Sequence, residues 1–196
     1  MVIRKGWLVA AALGTALSAL ALLAPSDRDR PWRPTDDSVP GSAANPPLEI
    51  SFADATGRMR SLREFRGKAV LVNLWATWCG PCREEMPTLD RLQAKLGGET
   101  FEVIALSVDR GGPERVADFL AEIGTSHLTV YLADMAAVRR TVGVIGLPTT
   151  LLLDPEGREV HRVVGPAQWD NPEMIALIGE RLDLPVATAI SVGGAP

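Results

Sequence analysis

The chain has 196 residues, of which 46% are hydrophobic and 22% are charged, and its formal net charge is −4. This length and composition allow one domain with a substantial buried core, together with additional segments at its ends. Since basic residues are not in excess, no nucleic-acid partner is expected. A four-ligand zinc site is not expected either, because the two histidines, His127 and His161, lie far along the chain from the two cysteines.

The amino-terminal segment, residues 1–24, is predicted to be a membrane anchor. Arg4 and Lys5 precede an uncharged apolar run over residues 6–24, which at about 1.5 Å per residue is long enough to cross a hydrocarbon core of about 30 Å. A cleaved signal peptide is the alternative, and A-L-A at residues 19–21 offers a small-x-small site for cleavage. Because that site lies inside the apolar run, we expect the segment to remain attached.

The segment between this anchor and the predicted domain is rich in proline, charged and small residues. This composition predicts an extended linker over residues 25–46. The folded domain is predicted over residues 47–184. Residues 185–196 are small and uncharged, and we expect them to form a disordered tail.

The predicted domain begins with short elements. Residues 48–52 and 58–60 predict a β-hairpin with Gly57 in its turn, and residues 61–68 predict a brief helical turn. Residues 69–75 are mostly apolar, which predicts a central strand covered on both faces.

Both cysteines follow this central strand and precede a predicted helix. Apolar residues recur there at spacings of three and four, which predicts a helix with one buried face, formed by Met86, Leu89, Leu92 and Leu96. Cys79 is therefore expected at the helix N-terminus, where N–H groups without a partner in the helix favour a thiolate. Cys79 is the candidate attacking thiolate. Cys82, one turn later, is expected to be more buried and to resolve a mixed disulfide.

For a bare C-x-x-C pair, a structural disulfide and half of a zinc site are the competing interpretations. A haem attachment site would need a histidine after the second cysteine, where Arg83 stands. The context favours redox chemistry, because W-C-G-P-C between a buried strand and a helix resembles the thioredoxin fold. The longer run W-A-T-W-C-G-P-C-R-E-E-M-P resembles more closely the membrane-anchored TlpA/ResA/DsbE-type thiol:disulfide interchange proteins, over about residues 47–182.

The remaining segments alternate between strand and helix, which predicts an α/β fold with three layers and right-handed crossovers. The predicted strands are residues 101–109, 128–132, 149–154 and 159–164, and the predicted helices are residues 113–123, 134–142 and 171–182. The resemblance implies a thioredoxin-like fold, with a central mixed β-sheet flanked by helices, an N-terminal β-hairpin and a TlpA-type insertion. Residues 134–142, with Asp134 as the predicted helix cap, belong to that insertion.

The resemblance also implies residues that bind a client protein. The run G-L-P-T at residues 146–149 matches the family's cis-proline loop, which lies beside the reactive sulfur. There the backbone of Leu147, just before Pro148, pairs with a client peptide as an added strand. Trp78 lies next to the nucleophile, and Gly80 and Pro81 suit a tight first turn between the cysteines, so these three residues complete the predicted binding surface.

Proton handling is expected to involve Glu85. Asn73, six residues before Cys79, departs from thioredoxin, which has a buried acid at that position. Glu85 lies three residues after Cys82 and nearly on the same helix face, and ResA-like proteins place an active-site glutamate there. The alternative is a solvated acid that complements the helix dipole, as we expect for Glu84.

The resemblance implies a protein-disulfide reductase held at the inner (cytoplasmic) membrane by its single anchor, with its domain facing the periplasm. Its expected clients are apocytochrome c or copper-site assembly proteins, and its expected electron donor is a membrane protein of the DsbD or CcdA type. No cofactor is expected beyond the redox-active Cys79–Cys82 disulfide. We expect a reductant because the Glu85 carboxylate opposes thiolate formation, which the helix N-terminus and Arg83 favour.

Two alternative functions stay open. A thiol peroxidase needs a proline and threonine box before its peroxidatic cysteine, whereas Thr77 and Trp78 precede Cys79 and no proline does. A Sco-like copper-binding assembly factor needs a wider cysteine spacing and a histidine ligand.

Overall fold

The computed structural model describes residues 45–185 of the chain. The predicted anchor and nearly all of the predicted linker and tail lie outside these residues, and they stay predictions. Between residues 45 and 185, no helix is both long and apolar enough to cross a membrane.

One mixed sheet runs through the described part of the chain. Its seven strands are β1 (Ser51–Asp54), β2 (Met59–Ser61), β3 (Ala69–Trp75), β4 (Phe101–Ser107), β5 (Tyr131–Leu132), β6 (Thr149–Leu153) and β7 (Glu159–Val164). They are arranged in the order β2-β1-β5-β4-β3-β6-β7. β3 pairs in parallel with β4 and antiparallel with β6. Every residue of β3 is buried, as predicted for a central strand.

Helices alternate with the strands, as in the thioredoxin-like fold that the sequence predicts. They are α1 (Gly80–Leu96), α2 (Gly112–Glu122), α3 (Met135–Val142) and α4 (Pro172–Leu182), and a 3-10 turn at Leu62–Phe65 follows β2. The buried face of α1 contains Met86, Leu89 and Leu92, as predicted, whereas Leu96 is only partly buried. The predicted fold class is therefore confirmed.

The predicted N-terminal hairpin is present as β1 and β2, which pair antiparallel. β1 also pairs with β5, so the hairpin extends the sheet beyond that strand. Phe52, Phe65 and Tyr131 form an aromatic cluster, in which the ring centroids of Phe52 and Tyr131 are 5.0 Å apart. Burial of these rings fastens the hairpin to the rest of the domain.

The strand predicted over residues 128–132 is shorter in the structure, where only Tyr131–Leu132 is a strand. Asp90 on α1 explains why the first residue of the predicted strand is not part of it. Its Oδ1 atom accepts hydrogen bonds from the backbone N–H groups of Ser126, His127 and Leu128 at 3.0, 2.7 and 3.2 Å. Leu128, the first residue of the predicted strand, therefore donates to a carboxylate instead of a neighbouring strand.

The short helix α3 brings the following loop to the cysteines. The Asp134 carboxylate caps this helix, as predicted, by accepting the backbone N–H of Ala137 at 2.8 Å. Gly143 ends the helix with φ 68°, in the left-handed region that favours glycine. The chain then passes beside Cys79 before it enters β6.

Candidate active site

The two cysteines form a disulfide bond at the N-terminus of α1. Cys79 is the N-cap residue, and its Sγ atom accepts the backbone N–H of Cys82 at 3.3 Å. Cys79 is 7% exposed whereas Cys82 is 0% exposed, so Cys79 is the sulfur that a partner molecule can reach. Gly80 and Pro81 are exposed in the first turn of the helix. A thiolate on Cys79 would be stabilised by the Cys82 N–H group and by the positive end of the helix dipole.

Glu85 is buried behind the cysteines rather than solvated. It is only 1% exposed. Its Oε1 atom accepts a hydrogen bond from Asn73 Nδ2 at 2.7 Å, and its Oε2 atom accepts bonds from Trp169 Nε1 at 3.0 Å and the Ala167 N–H at 3.1 Å. Burial raises the pKa of Glu85 from its ordinary 4.5 to about 7, against these three hydrogen bonds, which favour the charged form. The carboxyl group therefore exchanges its proton near neutral pH.

Asn73 links Glu85 to the sheet. Its Nδ2 atom also donates to Thr150 Oγ1 at 2.9 Å, while its Oδ1 atom is buried without a hydrogen-bond partner among the described residues. A rotated amide would offer that oxygen to a protonated Glu85, so the group can serve either protonation state. No sequence pattern indicates Thr150, Ala167 and Trp169, because they are far from Glu85 in the chain and no spacing connects them to it.

Asp109 is a second buried acid at the site, and no motif in the sequence indicates it. Its carboxylate accepts hydrogen bonds from the Thr77 N–H at 2.8 Å, the Thr77 hydroxyl at 2.7 Å and the Ser107 hydroxyl at 2.8 Å. The Arg115 guanidinium lies 3.9 Å from it. Asp109 thus holds in place the turn that leads from β3 to the cysteines.

Arg83 was expected to favour the Cys79 thiolate. In the structure, its guanidinium lies over the Phe119 ring, 4.4 Å from the centroid, and donates to the Thr77 carbonyl oxygen at 3.3 Å. These contacts give it a role in packing beside the cysteine turn.

The loop before β6 lies beside the reactive sulfur. The Leu147–Pro148 peptide bond is cis, as the resemblance implied. A cavity of about 360 Å³ is lined by Trp78, Cys79, Met135, Arg139, Val144, Ile145, Gly146 and Leu147. Trp78 is 62% exposed and Ile145 is 84% exposed. Pro148 itself is buried, and its carbonyl oxygen accepts the Gly165 N–H at 3.0 Å. Trp78 and Leu147 therefore border the cavity at the reactive sulfur, whereas Pro148 is buried and does not line it.

The described residues contain no group of three or more histidine, cysteine, aspartate or glutamate side chains that could hold a metal ion. The chemistry that this arrangement can perform is exchange between thiols and disulfides.

Comparison with known proteins identifies the family. The Redoxin family model matches residues 38–178, which is more than half of the chain. The thiol-disulfide oxidoreductase ResA of Bacillus thuringiensis subsp. konkukian is 34% identical over 112 residues, or 57% of this chain and 64% of the relative. The thioredoxin-like protein YneN of Bacillus subtilis is 33% identical over 116 residues, or 58% of this chain and 67% of the relative. This chain thus spans less than two thirds of the length of the ResA relative.

Solved structures show the same fold. A protein from Chlorobium tepidum, assigned as a thiol:disulfide interchange protein DsbE, has a TM-score of 0.60 and 28% identity, with 70% of this chain and 96% of that chain covered. A protein from Bacteroides vulgatus, assigned as a thiol-disulfide oxidoreductase, has a TM-score of 0.60 and 27% identity, with 70% and 94% covered. The chain belongs to the Redoxin family, and its resemblance to thiol:disulfide interchange proteins of the ResA and DsbE type is confirmed.

Proposed function

We propose that this protein is a thiol:disulfide oxidoreductase that reduces disulfides in client proteins. The observation that carries the proposal is the Cys79–Cys82 disulfide at the N-terminus of α1, with Cys79 partly accessible and Cys82 fully buried. This asymmetry matches the two roles that a dithiol reductant needs, an attacking sulfur and a resolving sulfur.

In the reduced protein, the Cys79 thiolate attacks one sulfur of a client disulfide. A mixed disulfide forms, and the first client sulfur leaves as a thiolate. The Cys82 sulfur then attacks Cys79 Sγ as a thiolate, so that the mixed disulfide breaks and the second client sulfur leaves. The client gains two electrons and two protons, and the protein is left with its Cys79–Cys82 disulfide.

Glu85 acts as the acceptor for the proton of Cys82. It follows Cys82 by three residues on α1, and its pKa of about 7 allows it to accept or return a proton at neutral pH. Cys82 is 0% exposed and Glu85 is 1% exposed, so Glu85 offers an acceptor for the Cys82 proton where solvent has little access.

The cellular setting that we propose is the inner membrane, with the domain in the periplasm and residues 1–24 as its anchor. The apolar run over residues 6–24 and the resemblance to TlpA/ResA/DsbE-type proteins support it. The proposed clients are apocytochrome c or copper-site assembly proteins, and the proposed donor of electrons is a membrane protein of the DsbD or CcdA type. Support for these partners comes from the family resemblance alone.

A trapping experiment tests this function. A Cys82→Ser variant of the full chain lacks the resolving sulfur, so it should accumulate mixed disulfides between Cys79 and client proteins, which mass spectrometry identifies after release by a reductant. The Cys79→Ser variant is the matched control and should capture none. Equal capture by both variants, together with failure of the reduced wild-type protein to reduce hydroxyethyl disulfide, would show that the proposal is wrong.

A further inference from the structure

We propose that the surface beside Cys79 selects client segments that carry an acidic side chain close to the reactive disulfide. This inference rests on the proposed function, because it concerns which disulfides the same site reduces. We define the client face by the apolar residues Trp78, Met135 and Ile145 and the cationic residues Arg110, Arg115 and Arg139.

The client face consists of two depressions that share Trp78 and Met135. The first is the cavity of about 360 Å³ that contains Cys79, Ile145 and Arg139. The second has a volume of about 450 Å³, and Arg110 and Arg115 line it. Trp78 and Met135 therefore lie between two charged groups. Cys79 and Arg139 are on one side, and Arg110 and Arg115 are on the other.

Apolar exposure shows that this face is suited to a partner. Trp78 is 62% exposed and Ile145 is 84% exposed, and large apolar side chains grouped around a reactive group are typical of a binding surface. Leu147 borders the same cavity. An extended client segment can therefore lie along this loop with its side chains directed alternately into and away from the depressions.

The charge of this face is opposite to that of the whole chain. Three arginines line the two depressions, although the formal net charge of the protein is −4. The one carboxylate among the lining residues, Asp109, is buried and already accepts hydrogen bonds from Thr77 and Ser107. The Asp109 carboxylate is thus already hydrogen-bonded within the protein.

Two of the arginines have their charge available to a partner. Arg110 and Arg139 are exposed, and neither forms an ion pair with any residue in the described range 45–185. Arg115 is partly engaged, since it donates to Thr77 Oγ1 at 3.0 Å. The exposed acid Asp134 borders a separate depression together with Arg110, and its carboxylate is used to cap α3. An acidic client side chain would thus meet free guanidinium groups, which bind carboxylates with charge-assisted hydrogen bonds.

Electrostatic complementarity of this kind acts mainly on the rate of encounter. We therefore expect the reduced full chain to react faster with an acidic disulfide substrate than with a basic one. In each reaction, the peptide disulfide is reduced to two thiols while Cys79 and Cys82 are oxidised to their disulfide.

The test uses three synthetic peptides that contain the same intramolecular disulfide, flanked by two aspartates, two serines or two lysines. Rates of peptide reduction by the reduced full chain are measured by quenched-flow sampling and chromatography at low and high salt. The aspartate peptide should react about tenfold faster than the lysine peptide at low salt, and added salt should narrow this ratio. Arg139→Gln should reduce the ratio several-fold.

Arg140→Gln is the matched control, because Arg140 is exposed next to Arg139 in α3 but lines neither depression. It should leave the ratio unchanged. Equal rates for the three peptides, a faster reaction of the lysine peptide, or the same loss in both arginine variants would overturn the inference. Reduction of the neutral reagent hydroxyethyl disulfide by the wild-type protein is measured in parallel. A failure there would refute the proposed function, whereas success there with equal peptide rates would refute only the charge selection.

Discussion

Glu85 and Asp109 are both buried beside the cysteine turn, yet their surroundings differ. Glu85 accepts hydrogen bonds from an amide, an indole and one backbone N–H, and within the described residues it forms no ion pair. Asp109 accepts bonds from a backbone N–H and two hydroxyls, and the Arg115 guanidinium lies 3.9 Å away. Neutral donors alone do not offset the cost of burying a charge, so Glu85 keeps a pKa of about 7. The comparison shows how one buried acid can exchange protons while the other anchors the backbone.

The largest effect is expected from Asp109→Ala. The substitution leaves the N–H and hydroxyl of Thr77 and the hydroxyl of Ser107 without their acceptor in a buried position. Two or more such groups should cost about 4 kcal/mol of the free energy of unfolding. Urea denaturation of the disulfide form measures this loss. Asp118→Ala, at an exposed position of α2, is the control and should change stability by less than about 0.5 kcal/mol. A loss below about 1 kcal/mol in Asp109→Ala would contradict the anchoring role.

The second effect is a dependence of stability on pH that comes from Glu85. Its pKa is raised in the folded state from 4.5 to about 7, so between these values the folded protein binds more protons than the unfolded chain. Stability should therefore fall as pH rises through this window, by about 3 kcal/mol in total, and change no further from this group above it.

Glu85→Gln should abolish this fall. The glutamine oxygen can accept from Trp169 and Ala167, and its amide can donate to Asn73 once the Asn73 amide rotates, so the variant should still fold. Urea unfolding at pH 5 and pH 8 compares the variants. Glu84→Gln, at an exposed neighbouring position, should retain the fall. An equal fall in Glu85→Gln would assign the pH dependence to another group.

The third effect concerns the thiols of the reduced protein. Above pH 7 the Glu85 carboxylate is charged and opposes a thiolate nearby, so Glu85→Gln should lower the apparent thiol pKa by about one unit. Because a stabilised thiolate stabilises the reduced form, the disulfide of this variant should also be easier to reduce. The rate of Cys79 alkylation as a function of pH and the redox equilibrium with glutathione measure the two changes. An unchanged alkylation profile, or the same change in Glu84→Gln, would remove Glu85 from the proton chemistry.

The smallest effect is expected from Trp169→Phe, which removes the indole donor to Glu85 Oε2 but keeps most of the buried volume. That hydrogen bond favours the charged carboxylate. The pKa of Glu85 should therefore rise further, by about half a unit. The upper end of the pH window in which stability falls should move by the same amount in urea unfolding. Trp78→Phe is the control, because it changes an exposed indole without contact to Glu85 and should leave the pH window unchanged. An unchanged window in Trp169→Phe would mean that the Trp169 indole does not affect the pKa of Glu85.

Local sequence patterns specify the elements that carry the cysteines. The apolar run of β3 and the spacing of Met86, Leu89 and Leu92 in α1 are local patterns, and the structure contains both elements where they were predicted. The cap of α3 at Asp134 is likewise a local signal, since the carboxylate bonds to a backbone N–H three residues later. Local patterns suffice for such features because the interacting groups are close along the chain.

The surroundings of the reactive sulfur depend on contacts between elements that are far apart in the chain. Trp169 and Ala167 reach Glu85 across more than 80 residues of chain, and Asp109 reaches back 32 residues to Thr77. Asp90 removed Leu128 from the predicted strand in the same way, by accepting an N–H group that a strand would have used. A buried polar group must have a hydrogen-bond partner. The identity of that partner depends on packing between elements, and it produces no periodic pattern in the sequence. The proton chemistry of Glu85 is therefore a property of the folded domain, whereas the position of the cysteines is already present in the chain.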